Sequence, residues 1–485
     1  MARQNRRQFL GRSIAAGVGL GAGFAIGGTK SSGRVLGAND VIRVGVAGLN
    51  GRGASHVAEF AKIPGVEITY LIDPDARTHD ARLKQLAKAV PTGAAPRTVK
   101  DVREALADPN LDAVSIATPN HWHALMTIWA CQAGKDVYVE KPCSHNIHEG
   151  RIAVDATRTH GRIVQHGTQT RSSADWAAVA ALVQSGEYGK LLVSRGLCYK
   201  SRPSIGVKPD AAIPAALDYN LWTGPASEHP FNPNYVHYNW HWFWDFGNGD
   251  VGNQGVHQMD IARWMIPGAT LPRSVVSLGG RFGYQDQGET PNTQVAVFDY
   301  GDTKLVFEVR GLKTDGYLGQ KVGNLVHLEA GTIAEGKPFT FTPKGSTQAQ
   351  PLPKAGAGED HFANFIKAVR SRKNADLNAE ILEGHYSAAL CHLANISYRT
   401  GRAVPFADPT PPVAGDATGA DVLEFDRFRR HLTAENGLDL DGQSYRMGRK
   451  LEFDPKAEAF VDDPEANKYL TRPYRKSFEV PASIG

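Results

Sequence analysis

The stretch that decides the fold is Val41-Ile-Arg-Val-Gly-Val-Ala47 followed by Gly48-Leu-Asn-Gly51-Arg-Gly53. The first seven residues are apolar enough to form a buried strand, and the residues after Gly53 follow a helical pattern as far as Ala61. Glycines between a strand and a helix allow a tight turn and a close approach of the backbone to a pyrophosphate, which the helix N-terminus stabilises. The stretch therefore predicts a dinucleotide-binding turn, although a glycine-rich turn without a ligand has the same pattern.

The rest of the chain shows two patterns. Strand-like and helical segments alternate as far as about residue 170, and this alternation predicts a parallel sheet with right-handed crossovers. Beyond that point strand-like segments follow one another at 275–278, 293–300, 304–310 and 325–329, which favours an antiparallel sheet. We therefore predict the α/β class, with an N-terminal Rossmann domain and a C-terminal α+β domain that has a largely antiparallel sheet.

The predicted boundaries follow from these patterns. The Rossmann domain is placed over residues 39–170 and the α+β domain over residues 171–404, whose last helices can pack back on the first domain. Residues 405–485 are rich in Pro, Asp and Gly, show little periodicity, and are interpreted as an extended C-terminal arm rather than a third domain.

The N-terminus has the composition of a targeting segment. Arg6-Arg7-Gln-Phe9-Leu10, followed by a weakly apolar run rich in Gly and Ala, resembles a twin-arginine export signal. We predict that residues 1–38 are this signal, that cleavage follows Ala38, and that the protein is exported to the periplasm or another extracytoplasmic space. A disordered basic tail is the alternative interpretation.

Composition and charge exclude several classes of protein. The formal net charge is +4, and it becomes −2 when residues 1–38, with six basic residues and no acid, are removed. A chain with so little net charge has no general electrostatic reason to bind nucleic acid. The sequence has no strongly apolar run of about eighteen residues, so we expect no integral membrane domain. Four cysteines in 485 residues are too few for a disulfide framework.

An acidic residue follows the second predicted strand at the distance typical of dinucleotide-binding domains. Asp73 lies 20 residues after Gly53, where a carboxylate accepts hydrogen bonds from the adenosine ribose. A carboxylate there repels a 2′-phosphate, so NAD is favoured over NADP as the cofactor. Arg77 follows closely and keeps NADP open as an alternative.

Two clusters carry the predicted chemistry. Glu140-Lys141-Pro142 follows a strand at the edge where open α/β sheets bind ligands, and a lysine there could hydrogen-bond a substrate hydroxyl. Asn253, His257, Asp260 and Trp264 have the spacing of one helix face, so Asp260 could orient His257 as a general base. The alternative interpretation of the first cluster is a surface lysine before a turn proline. The alternative interpretation of the second cluster is the solvated face of an amphipathic helix.

Other features bear on substrate binding. Tyr238–Asp245 holds three tryptophans, and the flat faces of Trp240 and Trp242 would suit sugar rings, with His241 beside them to bind hydroxyls. Core packing of an alternating strand explains the same pattern equally well. Arg171 follows a predicted strand and could line the cleft. We predict no metal site, because Cys143-x-His145-x-x-His148 has no second cluster of matching spacing.

Taken together, these motifs resemble the glucose–fructose oxidoreductase / inositol dehydrogenase / MocA (Gfo/Idh/MocA) family. The resemblance rests on the glycine turn, Ala117-Thr-Pro-Asn-His-Trp-His-Ala124, Glu140-Lys141-Pro142 and Gly255-x-His257-x-x-Asp260. It implies NAD or NADP bound between the two domains, Lys141 and His257 as the catalytic pair, and a homo-oligomer formed through the antiparallel sheet. Family members commonly have Asp four residues before the histidine, whereas this chain has Asn253, whose amide cannot accept a proton at neutral pH.

The predicted site can be stated in full. The substrate-binding residues are predicted to be Asn253, Asp260, Trp240, Trp242, His241 and Arg171. The cofactor-binding residues are predicted to be Gly48, Asn50, Gly51, Arg52, Gly53, Asp73, Thr118, Pro119, Asn120, His123, Glu140 and Lys141.

The resulting functional prediction is an exported NAD(P)-dependent oxidoreductase that transfers hydride between nicotinamide and a carbinol of a sugar, sugar derivative or cyclitol. A redox-neutral NAD-dependent glycoside hydrolase acting through a 3-keto intermediate is the first alternative, because export separates the protein from pools that recycle NADH. A coupled two-substrate oxidoreduction and a non-catalytic dinucleotide- or sugar-binding protein are the others.

Overall fold

The computed structural model describes residues 41–408 and 420–484, so the predicted export signal lies outside the described residues. The first domain has a six-stranded parallel sheet in the order β3-β2-β1-β4-β5-β6. Its strands are β1 (Ile42–Ala47), β2 (Val66–Ile72), β3 (Arg97–Val99), β4 (Ala113–Ile116), β5 (Asp136–Val139) and β6 (Val164–His166). The parallel sheet predicted from the alternating pattern is thus confirmed.

Helices connect these strands, as the alternating pattern predicts, although the short strand β3 and the helix after it were not predicted. They are α1 (Gly51–Ala61), α2 (His79–Ala89), α3 (Val102–Leu106), α4 (Asn120–Gln132) and α5 (Ile147–Thr159). The strands β4 and β5 are buried along their whole length because helices cover both faces of the sheet. The strand order reverses between β1 and β4, so a crevice opens at their carboxyl ends, where such sheets bind ligands.

The second domain is built on a larger sheet, which is mostly antiparallel, as predicted. Its strands from this part of the chain are β7 (Leu191–Cys198), β8 (Ser274–Gly280), β9 (Thr293–Asp299), β10 (Lys304–Arg310), β11 (Val322–Leu328), β12 (Gly331–Ala334), β13 (Thr340–Pro343), β14 (Gln350–Pro351) and β15 (Arg402–Pro405). Only β7 and β10 pair in parallel among the described strands of this sheet.

Six helices belong to this part of the chain. They are α6 (Ala174–Ser185), α7 (Tyr219–Thr223), α8 (Gly249–Asn253), α9 (Gly255–Trp264), α10 (His361–Ser371) and α11 (Ile381–Arg399). Four of them, α6, α8, α9 and α11, pack on one face of that sheet. Helix α11 packs on α5 and β6 of the first domain as well as on β8, and α10 packs on α1. These two helices therefore join the domains. No helix in the described part of the chain is long and apolar enough to cross a bilayer.

The predicted single helix around His257 is wrong. The structure has two helices there, with α8 ending at Asn253 and α9 beginning at Gly255. Gly252 and Gly255 flank the break, and glycine is a poor helix former because it loses the most backbone entropy on folding. Gln254 between them keeps helical dihedrals, with φ −87° and ψ −37°, so the break interrupts the hydrogen bonding of the helix more than its direction.

The C-terminal segment differs from the predicted arm, because it contains regular structure that extends the large sheet. It comprises α12 (Ala420–Leu432), β16 (Ser444–Met447), β17 (Leu451–Asp454), β18 (Ala459–Phe460) and α13 (Pro464–Asn467). Strand β16 lies between β8 and β15, and β17 also pairs with β8. Beyond α13 the chain returns to the first domain, where Phe478 packs against Trp122 and Trp129.

The tail also bears on the predicted oligomer interface. Phe425, Phe428 and Leu432 of α12 pack on the sheet face opposite α9 and α11, against Val295 and Val306. A face that the family resemblance assigns to oligomerisation is therefore covered, over β8 to β10, by this chain's own residues. Any oligomer of this protein has to use other surfaces than this part of the sheet.

Candidate active site

The glycine turn after β1 has the geometry that requires glycine. Gly48 has a φ of +83°, and a Cβ atom there would lie 2.6 Å from the backbone of Ala117. A Cβ atom on Gly53 would lie 1.7 Å from the carbonyl oxygen of Gly48, so a side chain there would displace the turn. A Cβ atom on Gly51 would meet nothing within 4 Å, so this position faces open space at the N-terminus of α1.

Asp73 supports this turn directly. Its Oδ2 accepts a hydrogen bond from the backbone N–H of Leu49 at 2.8 Å, and its Oδ1 accepts one from Asp75 at 2.9 Å. Burial raises the pKa of Asp73, while those two N–H groups oppose the rise. The side chain of Arg77 does not bind Asp73 but pairs with Asp75, to which its Nε donates at 2.8 Å. The guanidinium that could bind the 2′-phosphate of NADP is therefore already paired with the carboxylate of Asp75, which favours NAD.

A cavity of about 270 Å³ lies at the carboxyl ends of β1 and β4. All the predicted cofactor residues line it except Gly53, which packs beneath the turn instead. Further residues line it that no motif in the sequence singled out, and four of those named next come from the segment between β7 and α8, which has little periodicity to reveal them. They include Lys100, Asp101, Met126, Leu221, Trp222, His237 and Tyr238.

The cavity has the features that a dinucleotide needs. Helices α1 and α4 both begin at its wall, so their free N–H groups and positive dipole ends face it. The Oγ1 of Thr118 and the Nδ2 of Asn120 are buried there without a hydrogen-bond partner among the residues that the structure describes. Buried polar groups are normally paired, so these atoms fit a polar ligand such as the nicotinamide dinucleotide.

Glu140 organises the edge of the cavity next to Lys141. Its Oε1 accepts hydrogen bonds from Arg52 Nε at 2.7 Å and Gln169 Nε2 at 3.0 Å, and it lies 3.1 Å from His56 Nε2. Burial alone would raise the pKa of Glu140, but the contact with His56 and the charge of Arg52 hold it well below its usual range. The roles of His56 and Gln169 were not predicted, because neither residue lies in a recognisable motif.

Lys141 projects across the junction of the two domains. Its Nζ donates to the main-chain carbonyl oxygen of Asn253 at 2.6 Å and lies 3.4 Å from the Oδ1 of the same residue. Burial lowers the pKa of Lys141, and the carboxylate of Glu140 opposes this. Asn253 thus holds the lysine from the end of α8, a contact that the sequence spacing did not predict.

His257 lies one turn further along, at the start of α9. Burial, together with the charge of Lys141, lowers the pKa of His257 to about 3, so its imidazole is neutral at physiological pH. Its Nδ1 is buried and unpaired within the described residues. Lys141 and His257 are therefore close enough to act on one another electrostatically, as a hydrogen-bond donor and an acceptor, although His257 itself is not among the residues that line the cavity.

The predicted role of Asp260 as the partner of His257 is wrong. Its carboxylate accepts hydrogen bonds from Arg171 at 2.7 and 2.9 Å and from Ser387 at 2.6 Å. Arg171, whose side chain is also almost fully buried, lies over the ring of Trp264 at 4.7 Å. The predicted substrate contacts of Arg171 and Asp260 are corrected in the same way, because each side chain is occupied by the other.

The aromatic segment is a short 3₁₀ helix, Asn239–Trp242, rather than an alternating strand. Trp240 and His241 line the cavity, and their rings are stacked with centroids 3.6 Å apart. Trp242 lies away from it, with the guanidinium of Arg202 5.4 Å from its ring. Arg202 in turn pairs with buried Asp250 at 2.7 Å, a pair close to Lys141 that the sequence analysis did not identify.

Fold and site together define an NAD-binding oxidoreductase with a Rossmann domain and a C-terminal α/β domain. Two models of the Gfo/Idh/MocA oxidoreductase family match, one for the NAD-binding Rossmann fold over residues 42–168 and one for the C-terminal alpha/beta domain over residues 203–431. They cover more than half of the chain, which therefore belongs to this family.

Individual relatives are named for different activities. An inositol 2-dehydrogenase from Mycolicibacterium smegmatis is 26% identical over 68% of this chain and 84% of its own length. A glycosyl hydrolase family 109 protein from Saccharopolyspora erythraea is 31% identical over 40% of this chain, and the match spans only 45% of that protein.

Solved structures show the same fold. The WlbA dehydrogenase from Bordetella pertussis, in complex with NADH and UDP-GlcNAcA, is 19% identical with a TM-score of 0.53, covering 73% of this chain and 97% of its own. A levoglucosan dehydrogenase in complex with NADH has a TM-score of 0.54 at 16% identity. The match covers 73% of this chain and 97% of that one. At such identities the likeness concerns the fold alone.

Proposed function

We propose that this oxidoreductase transfers hydride between nicotinamide and a carbinol of a sugar, sugar derivative or cyclitol, with Lys141 and His257 as its catalytic pair. The observation that carries the proposal is the meeting of three groups at one cavity edge. The ammonium of Lys141 and the aromatic wall formed by Trp240 and His241 line this edge, and the neutral imidazole of His257 lies behind it, within electrostatic reach of Lys141.

The aromatic wall supports a ring-shaped polyol as substrate. Trp240 and His241 form a stacked pair beside Lys141, and apolar sugar faces pack well on such rings. The inositol 2-dehydrogenase relative, which this chain matches over most of its length, is named for a polyhydroxylated ring as its substrate, which agrees with this proposal. Tyr238, half exposed at the cavity mouth, adds a hydroxyl at the same wall.

The residues divide the chemistry between them. When bound, NAD accepts the hydride from the carbinol carbon. His257, neutral because burial and the charge of Lys141 lower its pKa, takes the hydroxyl proton as the C–H bond breaks. Lys141, oriented by the carbonyl oxygen of Asn253, hydrogen-bonds the developing alkoxide and lowers its energy. The cofactor site would be held by Asp73, Thr118 and Asn120 together with the glycine turn.

A redox-neutral glycoside hydrolase is the second candidate. It is favoured by the match to a glycosyl hydrolase family 109 protein and by the predicted export, since a cofactor restored in each turnover needs no external recycling. In that scheme, oxidation at C3 acidifies the neighbouring C–H, elimination breaks the glycosidic bond, and water addition and re-reduction complete the cycle. The same Lys141 and His257 would serve both reactions.

Export by the twin-arginine route is part of the proposal. It is supported by the paired arginines and the weakly apolar run that follows them. This route carries folded proteins, which suits a chain that binds its cofactor before export. Replacing Arg6 and Arg7 with lysine should retain the protein in the cytoplasm, as fractionation and immunoblotting would measure; unchanged export would refute the route.

One experiment tests the proposed reaction. The purified protein is analysed by native mass spectrometry for a bound dinucleotide and then supplied with myo-inositol, aldoses and p-nitrophenyl glycosides in deuterated water. Formation of NADH with a polyol supports the dehydrogenase. Release of p-nitrophenol with deuterium at C2 of the sugar supports the hydrolase instead. Neither NADH nor p-nitrophenol from any member of the panel would contradict both.

A further inference from the structure

A second cavity, of about 250 Å³, lies apart from the cofactor site and shares no lining residue with it in the described part of the chain. Apart from Ser227, its walls come from four segments that are distant in sequence. They are the loop after β5 at His145 and Asn146, the loop Trp244 to Asn248, one face of α11, and the tail between Lys468 and Pro473. Because the tail closes one side, the cavity exists only when the C-terminal segment has folded back.

Cations dominate the wall of this cavity. Arg399 is held between two aromatic rings, with its guanidinium carbon 4.9 Å from the centroid of Trp244 and 4.5 Å from that of Tyr469. Such stacking orients the planar guanidinium without using its N–H groups. Within the described residues, neither Arg399 nor Lys468 forms an ion pair. Both charges are therefore available to a ligand.

Two buried donors in the cavity wall point to the same kind of ligand. Asn248 is only 6% exposed, and its Nδ2 has no partner in the portion of the chain that the structure describes. Arg472 donates through Nη1 to the carbonyl oxygen of Asp245 at 2.8 Å, while its buried Nη2 is unpaired among the described residues. Both free atoms are donors only, so the missing partner must be an acceptor.

The acidic groups at this cavity are already occupied. Asp245 lines it, but its carboxylate contacts His229 Nε2, and this contact lowers the pKa of Asp245 and raises that of His229. Glu149 is buried, 3.9 Å from the Nε of Arg472. Asp245 and Glu289 act on Arg399 electrostatically, but within the described residues neither carboxylate forms an ion pair with Arg399 or Lys468.

We propose that this second cavity binds a small molecule through an oxyanion, either the carboxylate of a sugar acid or a phosphate group. Asn248, Arg399 and Arg472 would donate to its oxygens, in the charge-assisted bonds that arginine forms with such groups. Because His145 lies four residues after Lys141 on the same loop, an occupant would bridge the C-terminal tail and the loop that carries Lys141. The site is separate from the cofactor cavity and does not depend on the proposed reaction.

The test measures the thermal unfolding midpoint of the full chain saturated with NAD. The protein is titrated with sodium glucuronate, inorganic phosphate or glucose at constant ionic strength, because exposed charges respond to salt. A saturable rise with glucuronate alone identifies a sugar acid, and one with phosphate alone identifies a phosphate; glucose should have no effect. No saturable rise with either anion would overturn the proposal.

Variants locate the binding. Arg399→Gln and Asn248→Asp should each weaken the apparent affinity for the anion at least about tenfold, while NAD binding stays unchanged and reports that the protein is folded. Arg446→Gln is the matched control, because Arg446 is an exposed arginine of the same tail that lies over Tyr398, outside the cavity. Arg399 lies at the surface, so Arg399→Gln should fold normally and still tests the proposal if Asn248→Asp does not fold. Equal affinity in Arg399→Gln and the unmodified protein would also overturn the proposal.

Discussion

The ammonium group of Lys141 lies 2.6 Å from the main-chain carbonyl oxygen of Asn253, although 112 residues separate them in the chain. This hydrogen bond links the loop after β5 in the Rossmann domain to the end of α8 in the second domain. The cation at the cavity edge is thus positioned by both domains at once. Its orientation depends on the break between α8 and α9, since the last turn of a helix leaves carbonyl groups without internal partners.

Replacing Asn253 with Asp tests this relationship. A carboxylate in place of the amide oxygen, which lies 3.4 Å from Lys141 Nζ, favours the charged ammonium and so raises the pKa of Lys141. If a protonated Lys141 is needed for turnover, the loss of activity at high pH should move to higher pH in Asn253→Asp. The measurement is the pH profile of NADH formation with the best polyol of the panel. An unmoved alkaline limb would contradict this role of Lys141.

The glycine turn offers a matched pair of variants. Gly53→Ala places a methyl group 1.7 Å from the carbonyl oxygen of Gly48, so it should distort the turn and abolish NAD binding. Gly51→Ala meets no atom within 4 Å and replaces a helical glycine, so it should unfold no more easily than the unmodified protein. Thermal unfolding and NAD titration check both. Equal NAD affinity of Gly53→Ala and the unmodified protein would refute the packing described.

Glu140→Gln should lower stability in a pH-dependent way. The folded-state pKa of Glu140 lies well below the unfolded value of about 4.3, so its contribution is complete above that value and is lost as the pH falls through the folded-state pKa. The glutamine variant cannot titrate and leaves Arg52 without its charged partner. We expect it to be less stable by roughly 2 kcal/mol at neutral pH.

Denaturant unfolding across the acid range measures this effect. The gap in unfolding free energy between Glu140→Gln and the unmodified protein should narrow as the pH falls. A gap that stays constant down to acid pH would show that the charge of Glu140 does not contribute.

Arg171 and Asp260 should behave as a structural pair. Removing one partner leaves the other charge buried and unpaired, so Arg171→Met and Asp260→Asn should each destabilise the protein by about 3 kcal/mol. The double variant should lose less than the sum of the two single losses. Denaturant unfolding of all three variants gives this coupling. Strictly additive losses would mean that the pair does not interact, and its predicted role in substrate binding would need to be reconsidered.

The sequence predicted those parts of the fold and site that local patterns encode. The glycine turn, Asp73 and Lys141 each follow an apolar strand, and parallel strands bring their carboxyl ends to one edge, so their convergence could be anticipated. The break between Asn253 and Gly255 could have been suspected from the two glycines that flank it. The helical spacing nevertheless predicted one continuous helix from Asn253 to Trp264.

Contacts between residues far apart in the chain could not be predicted from such local patterns. Arg171 and Asp260 lie 89 residues apart, and nothing local to either residue indicates that they bind one another rather than a substrate. In the same way, β16 inserts beside β8, more than 150 residues earlier, and a four-residue strand has too short a pattern to be recognised alone. Missing that pairing made the tail look like an arm without regular structure.

The central claim is that Lys141 and His257 carry out the proton chemistry beside the bound cofactor. Its most direct test is the steady-state rate of NADH formation by Lys141→Met and His257→Ala, with the NAD dissociation constant measured on the same samples. Lys344→Met, which changes an exposed lysine outside the site, serves as the control. We predict that kcat falls about 10²- to 10⁴-fold in each catalytic variant, with NAD affinity changed less than about tenfold. Undiminished kcat in both variants would contradict the assignment.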